Sequence, residues 1–261
     1  MEMKRIPWLN TDPAHWNRGV LPQPVMDVPS GLVAASYGTW MPDDVVWWDF
    51  MRPVAQQGII PSCTGWTMAG VEELIMAKFH GRDFLPAYTH IDGELAWADQ
   101  RRLKYGGDMT GGLYVTDAFR GSVNVGIFPK DTYLRQVAPE PHDMCDAMRT
   151  SPIMAATRVH AGYFELDEHG GVNEWRDPGP GDAGHEWIIV GILHQGNRWF
   201  VSGLTSWGPL YGKRGCFLMS IEELEQSRIA PLFSIANPNR EWRGWQNCLC
   251  RVNERGERMA A

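Results

Sequence analysis

The sequence predicts an α+β fold in which a helical half precedes a strand-rich half, and three observations carry that prediction. From Ser62 onward Trp66, Ala69, Gly70, Leu74 and Ala77 recur near helical spacing, and GELAWADQRRLKY (93–105) and LYVTDAFRGSVNVG (113–126) continue the helical texture. Beyond residue 150 the texture changes to short β-branched and aromatic runs, SPIMAATRV (151–159), GHEWIIVGIL (184–193) and RWFVSGLTSW (198–207). The two textures are segregated along the chain rather than alternating, which favours α+β over a parallel α/β sheet and suggests two lobes with a cleft between them.

Residues 1–40 are rich in Pro, Gly and Trp with no sustained period and read as an irregular N-terminal arm. DDVVWWDFMRPV (43–54) reads as extended, with Pro53 biasing the residue before it away from helix. The first helix is expected over 62–79, buried on one side. The second should stop at the paired glycines Gly106 and Gly107, and the third follows Gly111 and Gly112. HQGN (194–197) is a plausible hairpin turn between two strands. The acidic stretch SIEELEQS opens a tail that ends in ERGERMAA. The expected division is therefore an arm (1–40), a main domain (41–220) and a C-terminal extension packed on or trailing from it (221–261).

At 261 residues, 44% hydrophobic and 21% charged, the chain can bury a substantial core. A net charge of −7 offers no basic stripe, and Arg101, Arg102 and Lys104 are too few to make one, so nucleic acid is not expected as a partner. The N-terminal stretch has no apolar signal region and no run reaches the roughly 18 apolar residues of a membrane span, so a cytoplasmic location and no membrane partner are expected. The cysteines at 63, 145, 216, 248 and 250 are odd in number and follow no framework, which reads as reduced thiols. Cys248 and Cys250 lack metal-knuckle spacing, and neither a metal nor another cofactor is expected.

Chemistry could reside at the junction QQGIIPSCTGWTMAG (56–70). Cys63 stands where the first helix begins, close to unpaired backbone N–H groups and the positive end of the helix dipole, both of which favour a thiolate. A small buried core residue is the competing reading. A nucleophilic thiol needs a base and oxyanion donors. Among eight histidines, His185 is distinguished by following the Gly/Pro-rich loop DPGPGDAG and opening an apolar strand, a position at an exposed rim. His80, His90, His142, His160, His169 and His194 fit solvated loops better. Gln57, six residues before Cys63, carries an amide that could reach an oxygen held by the Cys63 backbone N–H.

Four segments in order resemble the papain-like cysteine peptidases: QGIIPSCTGWTMAGVEEL, GGDMTGGLYVTDAF, GHEWIIVGI and TSWGPLYGKRGCFLM. His185 and Thr205 follow Cys63 by 122 and 142 residues, against roughly 130–150 for papain-type enzymes. The resemblance implies a two-lobed fold, helical left and β-rich right. It implies Cys63 as nucleophile, His185 as acid and base, and Gln57 with the Cys63 backbone as oxyanion hole. Gly111 and Gly112 would lie against an extended polypeptide substrate, and Trp207 would shield the partner of His185 from water.

The chain departs from that pattern at Thr205, where the family usually has an asparagine that fixes the imidazole. A hydroxyl can accept the imidazole N–H, but it is shorter than an amide and must direct its own proton elsewhere. Thr64 replaces a frequent aromatic, and Ile60 stands where secreted members carry a cysteine. The expected function is a thiol peptidase acting through an acyl-enzyme. The alternatives are a weak or inactive fold serving as a binding or structural module, and a peptidoglycan amidase with a similar Cys-His pair, which leaves the Ser-Trp-Gly segment unexplained.

Overall fold

Helix α1 (Cys63–His80) runs through the interior and is buried along most of its length, from Cys63 to Ala77 with Gly70 half-buried. This corrects the expected one-sided burial. In the computed structural model, which describes residues 44–86, 89–164, 166, 171, 184–195 and 197–237 and the strands at 249–252 and 258–259, α1 packs on helices α2 (Gly93–Lys104) and α3 (Val115–Asn124) and also on strand β5 (Gly184–Gln195). A helix covered by helices and a sheet has no solvent face, so its apolar residues need not form a stripe. The arm at 1–40 lies outside the described residues.

The helices meet backbone to backbone. A Cβ at Gly65 would run into the Gly93 carbonyl oxygen, and one at Gly121 into that of Ala96. Asp92 caps α2 by accepting the Glu94 N–H at 3.0 Å, and α2 ends just before Gly106 and Gly107, both at positive φ, where the paired glycines were expected to stop it.

The strand half is one antiparallel sheet in the order β3 (Tyr133–Val137), β8 (Leu232–Ala236), β4 (Ile153–Arg158), β5, β6 (Arg198–Leu204), β7 (Cys216–Ser220), with β1 (Asp44–Val46) also pairing β5. Strand β5 is long enough to serve two neighbours on one edge: residues 184–189 pair β4, and 191–193 pair β1 beyond a register shift at Val190. Gln195 faces Arg198 across the expected hairpin turn. A second sheet joins β2 (Thr89–Ile91) to β9 (Leu249–Val252) and β10 (Arg258–Met259).

The chain beyond residue 220 contributes to the main sheet. Helix α5 (Ile221–Ser227), capped by the Ser220 hydroxyl, leads into β8, which is buried between β3 and β4. Strand β3 and helix α4 (Pro141–Met148) are further elements that the sequence patterns had not marked.

Glu72 on α1 is fully buried with both carboxyl oxygens lacking a hydrogen-bond partner among the described residues, and burial holds its pKa well above the carboxylate range. A carboxyl whose folded pKa is raised binds its proton more tightly in the folded than in the unfolded chain. Folding stability therefore falls as pH rises above the unfolded value near 4.3. Glu72→Met should raise the thermal midpoint, and by at least about 3 °C more at pH 8 than at pH 5, which corresponds to roughly 1 kcal/mol for a chain of this size. Calorimetry at the two pH values checks this; an equal gain at both would mean that Glu72 is not ionised at a cost.

Candidate active site

Ser62 precedes α1 without a side-chain cap, so Cys63 stands at the first helical position beside unpaired N–H groups. Its Sγ accepts the backbone N–H of Glu186 at 3.5 Å, which ties the start of α1 to the start of β5. His185, the preceding residue on β5, therefore lies beside the thiol in the fold although 122 residues away in the chain.

The β5–β6 ladder runs from Gln195 with Arg198 to Ile188 with Leu204. Extending that register brings Trp207 across from His185. The indole stacks on the imidazole with centroids 4.2 Å apart and planes 25° apart, while Phe164 stacks behind it at 5.7 Å. Thr205 Oγ1 lies 2.6 Å from His185 Nε2, and His185 Nδ1 has no hydrogen-bond partner among the described residues. His185, Thr205 and Trp207 are thus brought together, Cys63 is tied to the backbone of the next residue on β5, and the imidazole nitrogen left open is the one not used by Thr205.

Gln57 is held on the loop feeding α1. Its backbone N–H donates to the Ser206 carbonyl at 2.9 Å, Oε1 accepts the Ser206 hydroxyl at 2.5 Å, and Nε2 donates to the Ile60 carbonyl at 3.0 Å. An amide nitrogen has two hydrogens, so one remains for another acceptor. Gly111 and Gly112 have both carbonyls occupied from within, by Trp97 Nε1 and Arg101 Nη1, each at 3.1 Å. A Cβ at Gly111 would meet the Arg101 guanidinium at 3.0 Å, so an internal contact already accounts for glycine there.

Two expectations from the sequence are corrected by burial. His185 is 1% exposed rather than at an open rim, and loss of solvent pulls its pKa down to about 3, so the imidazole is neutral near pH 7. Cys63 is fully buried, and burial, helped by the charge of Glu186, pushes its thiol well above its usual range. The N–H groups of Glu186, Thr64 and Cys63 itself act the other way and are outweighed. The helix N-terminus is present, but the resting pair is a thiol and a neutral imidazole rather than an ion pair.

His90 and His160 are likewise not solvated: each is buried against a carboxylate, Glu73 and Glu223 respectively. His169 lies outside the described residues. Sequence reasoning missed Glu186, whose backbone N–H meets the thiol and whose buried carboxyl oxygens have no hydrogen-bond partner among the described residues, and Ser206, which fixes Gln57. The signal for Glu186 was visible as a lone acid inside an apolar strand. Among the described residues no group of three or more His, Cys, Asp or Glu is placed to hold a metal ion, and no helix is long and apolar enough to cross a membrane.

No family model matches the chain, and no curated protein matches it by sequence. Solved structures do. Xylellain, a cysteine protease from Xylella fastidiosa, superposes with a TM-score of 0.63 at 16% identity over 85% of this chain and 97% of that one. The digestive procathepsin L 3 of Tenebrio molitor larval midgut gives 0.62 at 16% identity over 85% and 77%. A recombinant stem bromelain precursor gives 0.60 at 17% identity over 86% and 78%.

Proposed function

We propose, for a chain that has the fold of the papain-like cysteine proteases, that it is a thiol peptidase with Cys63 as nucleophile and His185 as its base. The observation that carries the reading is the Glu186 N–H on Cys63 Sγ, which sets the thiol against β5 one residue from His185, whose Nε2 meets Thr205 and whose Nδ1 has no hydrogen-bond partner among the described residues. With Nε2–H donating to Thr205, Nδ1 presents a lone pair and takes the thiol proton as Sγ bonds to the substrate carbonyl carbon. The developing oxyanion receives the Cys63 backbone N–H and the second Nε2 hydrogen of Gln57. Collapse breaks the C–N bond, and the proton on His185 passes to the leaving amine. Water then attacks the thioester, giving its proton to His185, and the thiol is regenerated. Gly111 and Gly112 would border the extended polypeptide, and a reducing, cytoplasmic setting suits the free thiols.

Neutral Cys63 and His185 in a fully buried site favour a second reading, a papain-like module that binds without cleaving. One experiment separates the two. Incubation with a denatured, carboxymethylated polypeptide, an acid quench and peptide mapping should show new chain termini and an acyl group on Cys63, both lost in Cys63→Ala. No cleavage above the Cys63→Ala background would overturn the peptidase reading. If Thr205 limits orientation of the ring, Thr205→Asn should raise kcat; an unchanged rate would mean that another group holds the imidazole.

A further inference from the structure

Behind Thr205 lies a cavity of about 50 Å³ between α1, β2, β6 and the segment at 50–55. One buried water needs about 10–15 Å³ of probe-occupied space, so there is room for water here. Its polar lining is Arg52, Glu73, His90, Thr205 and Ser206. Glu73 accepts His90 Nδ1 at 3.0 and 3.2 Å and the Ile91 N–H at 2.7 Å. Arg52 donates through Nη1 and Nη2 to the carbonyls of Arg82, Leu85, Pro86 and Thr89, with its Nε 3.9 Å from Glu73.

Two buried polar atoms of this cluster, His90 Nε2 and Arg52 Nε, have no hydrogen-bond partner among the described residues. Since a carboxylate only accepts, His90 Nδ1 carries the hydrogen toward Glu73, and in the neutral ring Nε2 is then an acceptor. On the opposite side, Thr205 must receive the Nε2–H of His185 if Nδ1 is to act as base, so its own hydroxyl proton needs an acceptor elsewhere. A cavity with an orphan acceptor and an orphan donor, bordered by a hydroxyl with a proton to place, suits water.

We propose that Thr205 orients His185 as the first link of a buried relay that runs through water in this cavity to His90 and ends on Glu73. Every hydrogen bond in the relay points the same way: His185 Nε2–H to Thr205, Thr205 O–H to water, water to His90 Nε2, His90 Nδ1–H to the Glu73 carboxylate. Arg52 Nε–H donates to the same water. The relay lets a threonine do the work of an amide, because it places the hydroxyl proton and lets a distant carboxylate polarise the imidazole as it becomes charged. His90 and Glu73 are positioning residues, and this part of the inference rests on the peptidase reading.

The test is a double-mutant cycle on kcat and KM with the denatured polypeptide. His90→Leu should lower kcat about tenfold with KM unchanged. His90→Gln, whose amide can donate to Glu73 and accept from water, should restore much of the loss. In a Thr205→Asn background, where no hydroxyl proton needs placing, His90→Leu should change kcat less than about twofold. Equal losses in both backgrounds, or a loss carried by KM, would overturn the relay. A crystal structure of the unmodified protein supplies a readout that does not depend on turnover. Water within hydrogen-bond distance of both Thr205 Oγ1 and His90 Nε2, directly or through a second water, is expected. A dry cavity, or water that does not reach Thr205, overturns the relay even if cleavage occurs; absence of cleavage with the water in place overturns only the peptidase reading.

Discussion

Cys63→Ala and His185→Ala are each expected to reduce kcat on a denatured polypeptide by at least about 10³-fold, and the double variant is expected to be no slower than the worse single variant. The reason is that the two groups act in one step of the proposed mechanism. The Cys63 thiol is held protonated by burial, so without His185 Nδ1 there is no acceptor for its proton; without the thiol the imidazole has nothing to deprotonate. Gln57→Ala should cost less, about 10²-fold, because the Cys63 backbone N–H remains as one donor. The measurement is single-turnover cleavage with each variant at saturating substrate. Losses that multiply in the double variant would mean that Cys63 and His185 act independently, which the proposed mechanism forbids.

Much of this site was legible in the sequence because its parts sit at places where local chemistry is distinctive. A cysteine directly before a helical period, a histidine after a Gly/Pro-rich loop, and a Thr-Ser-Trp-Gly run after an apolar strand each leave a local mark. The helix starts at Cys63 and the strand at Gly184, as those marks indicate. What was not legible depends on which surfaces the tertiary fold covers. Nothing in the period of α1 says that two helices and a sheet will enclose it, so Cys63 and His185 were expected to be more open and more reactive than their burial allows. The insertion of β8 between β3 and β4 joins chain positions about 80–100 apart, a pairing that no local pattern announces. His90 read as a solvated histidine because its partner, Glu73, is a neighbour only across the packing of α1 on β2.

The packing of α1 on α2 explains why Gly65→Ala should be among the most damaging single changes outside the proposed catalytic pair. The new Cβ would overlap the Gly93 carbonyl, and the approach is just as close from the other side, where a Cβ at Gly93 would lie 2.5 Å from Trp66 N and Cα. The obstacle is backbone in both directions, so no rotamer change relieves it, and separating α1 from α2 would loosen the apolar contact around Ala96 and Trp97. A cost above about 3 kcal/mol is expected, roughly a 10 °C fall in thermal midpoint or failure to fold. Gly81→Ala is the contrast: the space around it is open, and the cost is the strain of a φ of +84° with a ψ of 157°, a region essentially confined to glycine, about 1–3 kcal/mol. Because Gly65 lies two residues after Cys63, any Gly65→Ala protein that does fold must shift the first turn of α1. The Cys63 Sγ bond from the Glu186 N–H would then weaken, and cleavage should fall further than the loss of folded protein accounts for. Denaturant unfolding and cleavage rates on the same three proteins check both claims; a smaller stability cost for Gly65→Ala than for Gly81→Ala would show that the two helices are not locked at this glycine contact.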